Sequence, residues 1–499
     1  MRSAFQSYYI GFDIGSSSVK VSLVESTSGK SILSVHEPKN EMDIASPEVG
    51  WAEQDPEEWW KYLCNATHRI IEESNIDAEH IKGIGIAYQM HGLVLVDNEG
   101  NPLKKSIIWC DDRAVDLGDK AFQEIGQDKC KLHLLNSPGN FTASKLKWVK
   151  ENEPEIYKQA YKFILPGDYI AFKLTGLINT TRNGLSEAIL WDYKRNKVAN
   201  WLLDYYGIDK SLIPGIVENF TTQGVVHEEA SKQTGLPIEI PVLYRAGDQP
   251  NNALSLNVFR PGEVAVSGGT SGVIYAVTDQ LESKESSRIN SFAHVNYSSQ
   301  QRIIGKLLCI NGCGIMYRWL KNNIGASSYE EMNEKASKVS IGSDGLVIIP
   351  FGNGAERMLN NKDVNAHFLN LNLNLHTRLH ICRAALEGIA FSFVYGMEIL
   401  KEDNTLIRVI RAGNDNLFRS EIFANTIATL TGHTIELYNT TGAIGAARAV
   451  KLKDGDFDIN REYQMNNDYV KTYFPNKNRE PYVKAYRQWK EELARILIN

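Results

Sequence analysis

Over 499 residues the chain is sparing with cysteine, carries no excess of positive charge and contains no long apolar run. Each shortage excludes something. The six cysteines, Cys64, Cys110, Cys130, Cys309, Cys313 and Cys382, are scattered through apolar segments. The one close pair, in Cys-Ile-Asn-Gly-Cys, lacks the Cys-x-x-Cys spacing of a zinc site, so reduced and mostly buried thiols are expected. A formal net charge of −6 and a pI near 6.1 argue against nucleic acid or an anionic membrane as partner, since either needs a basic face. No apolar stretch approaches the roughly 20 residues of a membrane span. Met1–Ser7 does not read as a signal peptide, and the expectation is a cytoplasmic protein. No low-complexity tract appears.

What is present is an ordinary globular composition, 43% apolar and 23% charged, long enough for two or more domains each with its own core. Residues 8–24 run from an apolar stretch through Gly15, Ser16, Ser17 and Ser18 into an alternating one, which predicts a hairpin. Its tip can curl around an anionic oxygen, and Asp13 beside it can hold a cation near that oxygen. An ordinary hairpin with a serine turn is the plainer reading. A second copy shifts the balance: Val264–Tyr275 repeats the pattern, with Gly269 matching Gly15 and Thr270 matching Ser16, about half the chain later. Self-similarity at that spacing predicts an α/β protein of two duplicated domains, their phosphate-facing hairpins gripping a polyphosphate across a cleft. Asp13 is replaced by Ser267 in the copy, so the halves are not equivalent.

Further along, Asp55 fits a helix N-cap, Pro56 the first helical position, and Glu58 a capping box. Trp59, Leu63, Ala66 and Ile70 then share one face. Strands are expected at Ile81–Ala87 and Leu93–Asp97, with the polar break Tyr88–Gly92 between them. Another is expected at Ser106–Trp109. Pro250 and its polar neighbours mark a break, which places the domain boundary between 247 and 248. The second half alternates strand and helix, including a strand at Leu406–Ile410, a loop at Arg411–Asn416 and a helix opening at Thr441.

Asp248, at the end of an apolar strand, is the candidate base: a hydroxyl attacking a phosphoryl group needs an acceptor for its proton. A turn aspartate is the alternative. His91 can hydrogen-bond a sugar hydroxyl while Met90 packs on the carbon skeleton, or serve the turn alone. Asp111 and Arg113 suit a polyol, or an internal salt bridge. Gly413 and Asn414 follow a strand where a flat ring can approach the backbone. Gly314 either admits a nucleotide near the second hairpin or lets elements pack.

Taken in order, these residues resemble the FGGY family of carbohydrate kinases, within the actin/hexokinase superfamily, over essentially the whole chain. The run Trp-Ala-Glu-Gln-Asp-Pro-Glu-Glu-Trp-Trp (51–60), Gln-Met-His-Gly (89–92), Trp-x-Asp-x-Arg (109–113) and Phe-Thr-Ala-Ser-Lys-Leu-Lys-Trp-Val (141–149) look most like the xylulokinase branch. The resemblance implies two ribonuclease-H-like domains, 1–247 on the sugar side and 248–499 on the nucleotide side. It implies ATP-dependent phosphorylation of a ketopentose, D-xylulose first, with L-ribulose or glycerol as other acceptors. A non-catalytic sugar- or nucleotide-binding member of the superfamily is the rival. Asp248 and Asp13 would be catalytic and hold Mg²⁺. Met90, His91, Asp111 and Gln249 would bind the sugar. Gly15, Ser16, Gly269, Thr270, Gly314, Gly413 and Asn414 would meet ATP. The partners would be a small sugar and ATP, without nucleic acid or membrane, a homodimer being one assembly open to it. Two positions depart from the family: the adenosine loop reads Arg-Ala-Gly-Asn-Asp-Asn (411–416) rather than a run of glycines. Gln249 stands where xylulokinases often have Asn.

Overall fold

In the computed structural model, which describes residues 6–498, the alternating run at the start folds as expected. Strands β1 (Tyr8–Ile14) and β2 (Val19–Glu25) pair antiparallel, with Asp13 opposite Lys20 and Ile14 opposite Val19. β3 (Ser31–Glu37) continues antiparallel from β2, while β4 (Ile81–Tyr88) lies parallel to β1 and β5 (Val242–Gly247) parallel to β4. The resulting order is β5-β4-β1-β2-β3. β4 and β5 are apolar nearly throughout, as strands buried on both faces should be.

The helix Pro56–Ser74 lays buried Trp59, Leu63, Ala66 and Ile70 along β2 and β3. Asp55 caps it by accepting from Glu57 N–H at 2.9 Å. Glu58 forms no capping box, because the short aspartate reaches the second helical N–H and Glu58 N–H bonds the Asp55 carbonyl instead.

A second sheet repeats the plan. β6 (Glu263–Gly268) and β7 (Gly272–Thr278) form the second hairpin, with β8 (Ile304–Ile310) beside β7. β9 (Val409–Gly413) lies parallel to β6 and β10 (Ile435–Tyr438) parallel to β9, and β11 (Tyr469–Tyr473) closes antiparallel on β10. Hairpin, next neighbour and two parallel strands thus recur in one order, which is the duplication the two Gly-Ser/Thr turns imply. The long helix Arg378–Glu402 supplies much of this unit's core, with Leu386, Ile389, Phe393 and Met397 buried. β9 extends three residues beyond the expected strand end, through Gly413, because Val409–Ala412 align along β6 and hydrogen-bond there.

The compact units are not the halves 1–247 and 248–499. One comprises Met1–Phe259, Phe292–Ile304 and Thr440–Asp468; the other Arg260–Ser291, Gly305–Asn439 and Tyr469–Asn499. The physical reason is packing. Asp248–Ser255 continues from β5 as a helix, and the helix Gly442–Ala449 lies on β1 and β4. At Gly11 a side chain would strike the Ala443 carbonyl and at Gly85 the Ala446 carbonyl, so helix and strands meet backbone to backbone. Among the described residues no helix is long and apolar enough to cross a membrane, and all six cysteines are free thiols, with Cys110 exposed.

Candidate active site

In the first unit the chemistry collects where β1, β4 and β5 end. Asp13, near the end of β1, is half-buried; Asp248 begins the helix after β5 and is half-buried too. Burial raises the pKa of Asp248 to about 7, and the like charge of Asp13 pushes the same way. Asp13 is also raised by burial, with Lys20 across the hairpin pulling it back. Gln249 hydrogen-bonds the Asp248 carboxylate through both its N–H and its side chain, so it holds that carboxylate in place. The helix Gly442–Ala449 starts against Asp13: a Cβ on Gly442 would fall 2.7 Å from Asp13 Oδ2. Asn251 Nδ2 donates to the Gly442 carbonyl at 2.9 Å, and its Oδ1 is buried without a protein partner.

The tip of the first hairpin is closed by Gly15 N–H to the Ser18 carbonyl at 3.0 Å. Gln54, from the tryptophan-rich stretch, donates to the Ser16 carbonyl at 2.7 Å and accepts from Gln89 and from Trp59 Nε1. One glutamine thereby ties the tip, the end of β4 and the first helix together.

Met90 and His91 follow β4 as expected. His91 has φ 62, in the left-handed region. Its Nδ1 donates to the Glu187 carbonyl at 3.0 Å, since a carbonyl can only accept. Its own carbonyl accepts from Lys145 Nζ at 3.1 Å. The ring sits against Phe141 and Phe292, at centroid separations of 4.8 and 5.1 Å. Met90 is buried beside Gly247 and Glu187. Lys145 is fully buried, and burial pulls its ammonium down to about 8 while Asp111 opposes.

Asp111 does not present itself to a ligand. It has no exposure, accepts from Ala52 N–H at 2.6 Å and takes a two-point bond from Arg113, whose guanidinium also meets Glu53 at 2.8 Å. Arg113 lies over Trp51 at 3.8 Å. The internal salt bridge is the alternative realised, because a two-residue spacing lets the fork of Arg113 fold back onto the carboxylate.

The second unit holds a cavity of about 420 Å³, a volume suited to a small-molecule ligand. Gly268, Gly269 and Thr270 of the hairpin line it, with Gly314, Tyr317, Tyr329, Asn333 and residues 415–417. Gly314 N–H and Ile315 N–H donate to the Gly269 and Thr270 carbonyls at 3.0 Å each, docking the helix Gly314–Asn323 onto the tip. A Cβ on Gly314 would run into the Gly269 carbonyl, so only glycine permits the approach. Glu356 steadies the preceding turn by accepting from Asn311 and Gly312 N–H at 2.9 and 2.6 Å. Tyr317 and Tyr329 stack at 5.8 Å on the cavity wall. Gly413 and Asn414 are not among the lining residues, because β9 runs through Gly413 and Asn414 turns its amide to Asn439 Oδ1 at 3.2 Å. Asp415, Asn416 and Leu417 line the cavity instead.

Sequence reasoning missed Glu187, Lys145, Gln54 and Glu356. Glu187 offered a signal, a lone acid in Leu-Ser-Glu-Ala-Ile-Leu; it is 2% exposed and its pKa is pushed well up by burial, with Asp168 and Asp248 adding to it.

Residues 8–255 match the N-terminal domain of the FGGY family of carbohydrate kinases and residues 264–450 match its C-terminal domain. The chain is 28% identical to the xylulose kinase of Bacillus subtilis (strain 168) over 465 residues, 90% of this chain and 89% of that protein. Among solved structures, the xylulose kinase from Rhodospirillum rubrum superposes with a TM-score of 0.87 at 24% identity, covering 98% and 99% of the two chains. The gluconate kinase from Lactobacillus acidophilus reaches the same TM-score, 0.87, at 22% identity, covering 99% and 98%.

Proposed function

The chain belongs to the FGGY family of carbohydrate kinases, and from that premise we propose that it transfers the γ-phosphoryl group of ATP to D-xylulose. The relatives' names support a ketopentose, as do the Trp-rich block and Gln-Met-His-Gly. Fold likeness alone leaves the acceptor open, since xylulose and gluconate kinases match it equally well.

The observation that carries the reading is Asp248, a half-buried carboxylate at a strand end whose basicity burial and Asp13 bring close to neutrality. A carboxylate so raised accepts a hydroxyl proton more readily than an ordinary aspartate as that oxygen attacks the γ-phosphorus. Asp13 and Asp248 also fit Mg²⁺, which takes one or two carboxylates and completes its shell with water and substrate phosphates. Among the described residues no cluster of three or more His, Cys, Asp or Glu side chains is arranged to hold a metal. When bound, the ion would neutralise charge on the transferring oxygens. Met90 and His91 would orient the sugar, and the second hairpin, with Gly269, Thr270 and Gly314, would hold the nucleotide phosphates. Coupled ADP release, screened over ketopentoses, polyols and hexoses, tests the reading. Preference for D-xylulose is expected; higher kcat/KM on L-ribulose or glycerol would overturn the acceptor and leave the kinase.

A further inference from the structure

The cavity of the second unit has a wall that the reaction as set out leaves unused. Tyr317, one turn into the helix Gly314–Asn323, and Tyr329, which opens the helix Tyr329–Ser337, lie nearly parallel, with 18° between their rings. Asn333, one turn on from Tyr329, lines the same wall, and its Oδ1 accepts from the Tyr317 hydroxyl at 2.9 Å. Tyr317 is buried, so the phenol holds one end of the carboxamide in place. The end left for the cavity is Nδ2, which can donate but not accept. The remaining polar groups supply no fixed acceptor beside it. Arg318 and Arg419 only donate. The Glu330 carboxylate already accepts from its own N–H and from Ser328, with Arg419 and Lys321 nearby, and its pKa is lowered accordingly. Asp415 folds its carboxylate back over Gly413, to 3.1 Å from where a Cβ would stand. Ser420 is 2% exposed and its hydroxyl, without a protein partner, can donate or accept equally well.

A carboxamide free at both ends selects adenine, because it answers the acceptor N7 and the donor N6 together; guanine offers two acceptors on that edge. Asn333 has spent its acceptor on Tyr317, and an N–H alone can meet a ring acceptor of either purine. An aromatic wall does not choose between them, since every base has a π-face. We propose that Asn333, with Tyr317 as its positioning residue, meets the base of the donor nucleotide by N–H donation against the tyrosine pair, so that the site uses 6-amino and 6-oxo purine nucleoside triphosphates alike. The inference rests on the nucleotide reading of this cavity.

Initial rates with ATP, GTP and ITP, in wild type, Asn333→Ala and Tyr317→Phe, test it, alongside calorimetry with ADP, GDP and inorganic pyrophosphate. In wild type kcat/KM for the three donors should agree within about 100-fold, short of the 10⁴–10⁵ that a site with an unmet polar pair enforces. Asn333→Ala should raise the KM for ATP and for GTP alike by about tenfold, with the sugar KM and pyrophosphate affinity unchanged, because only the base contact is lost. Tyr317→Phe keeps the ring and frees Oδ1, so the carboxamide can turn to an adenine edge and the preference for ATP over GTP should grow several-fold. A merely structural role for the hydroxyl would lower both donors together. A wild-type preference for ATP beyond about 10³-fold would put a fixed acceptor, such as Asn416, on the base and overturn the proposal. It also falls if Asn333→Ala spares both KM values or if Tyr317→Phe leaves the ratio unmoved. Failure of the underlying reading looks different: ADP and GDP affinities that ignore Gly269→Val as well as Asn333→Ala would remove the nucleotide from this cavity. Sensitivity to Gly269→Val alone would refute only the role of Asn333.

Discussion

Asp248→Asn keeps shape and the bonds from Gln249 but removes the basic oxygen. Turnover should fall on the order of 10²–10⁴-fold with ADP still binding, measured by coupled assay and calorimetry; near-normal turnover at saturating sugar would refute the base. A second residue-scale expectation concerns pH. His294 is fully buried, donates from Nε2 to the Val258 carbonyl at 2.9 Å, and burial lowers its pKa to about 3. In the unfolded chain an imidazole titrates near 6.5, about as a free histidine does. Between those values the unfolded chain holds a proton that the folded one does not. The contribution is therefore complete above about 6.5 and is lost as pH falls toward 3. Tm should decline over that window, and His294→Gln should flatten the slope; an unchanged slope would remove His294 from the account. At this scale Asp13, Asp248, Met90 and His91 were legible because strand ends and a repeated hairpin marked them. The fate of Asp111 was not, because free carboxylate and salt bridge have the same sequence.

Two elements depend on glycine for close approach. Gly314→Val would force the helix Gly314–Asn323 away from the Gly269 carbonyl. Nucleotide affinity should drop by about tenfold or more while sugar binding persists, since the change lies on the second hairpin's cavity. Unaltered ADP affinity would show that this helix does not shape the nucleotide site. Gly442→Val puts its Cβ 2.7 Å from Asp13 Oδ2 at the start of the helix Gly442–Ala449. Here kcat should fall with the ADP affinity of the second-unit cavity retained, and loss of ADP affinity in a folded protein would contradict the assignment. The sequence announces this helix plainly, with Thr441 capping Ile444 N–H at 3.3 Å. Its partner sheet is another matter: Gly11 and Gly85 are compatible with many neighbours, and only the folded chain brings them to Ala443 and Ala446.

For the whole molecule, Met90 and His91, proposed for the sugar, belong to the first unit, while Gly269, Thr270 and Gly314, proposed for the nucleotide phosphates, belong to the second, so changes at the second hairpin should act on the nucleotide and not on the sugar. Gly269→Val should weaken ADP and spare the sugar, by calorimetry, and loss of both with an intact fold would refute the division. The amino-acid sequence alone determined the duplication, the two Gly-Ser/Thr turns, the acid at the end of β5 and the membership of a kinase family. Those features are local: periodicity, turn composition and a residue's place after a strand are carried by neighbours along the chain. Only the tertiary structure decided that the helix Gly442–Ala449 returns to the first sheet and that Asp415–Leu417, rather than Gly413 and Asn414, line the cavity. It alone decided that the carbonyl of Glu187, 96 residues from His91, accepts the hydrogen bond of the imidazole, because contacts between distant segments arise from packing and burial that no local pattern encodes.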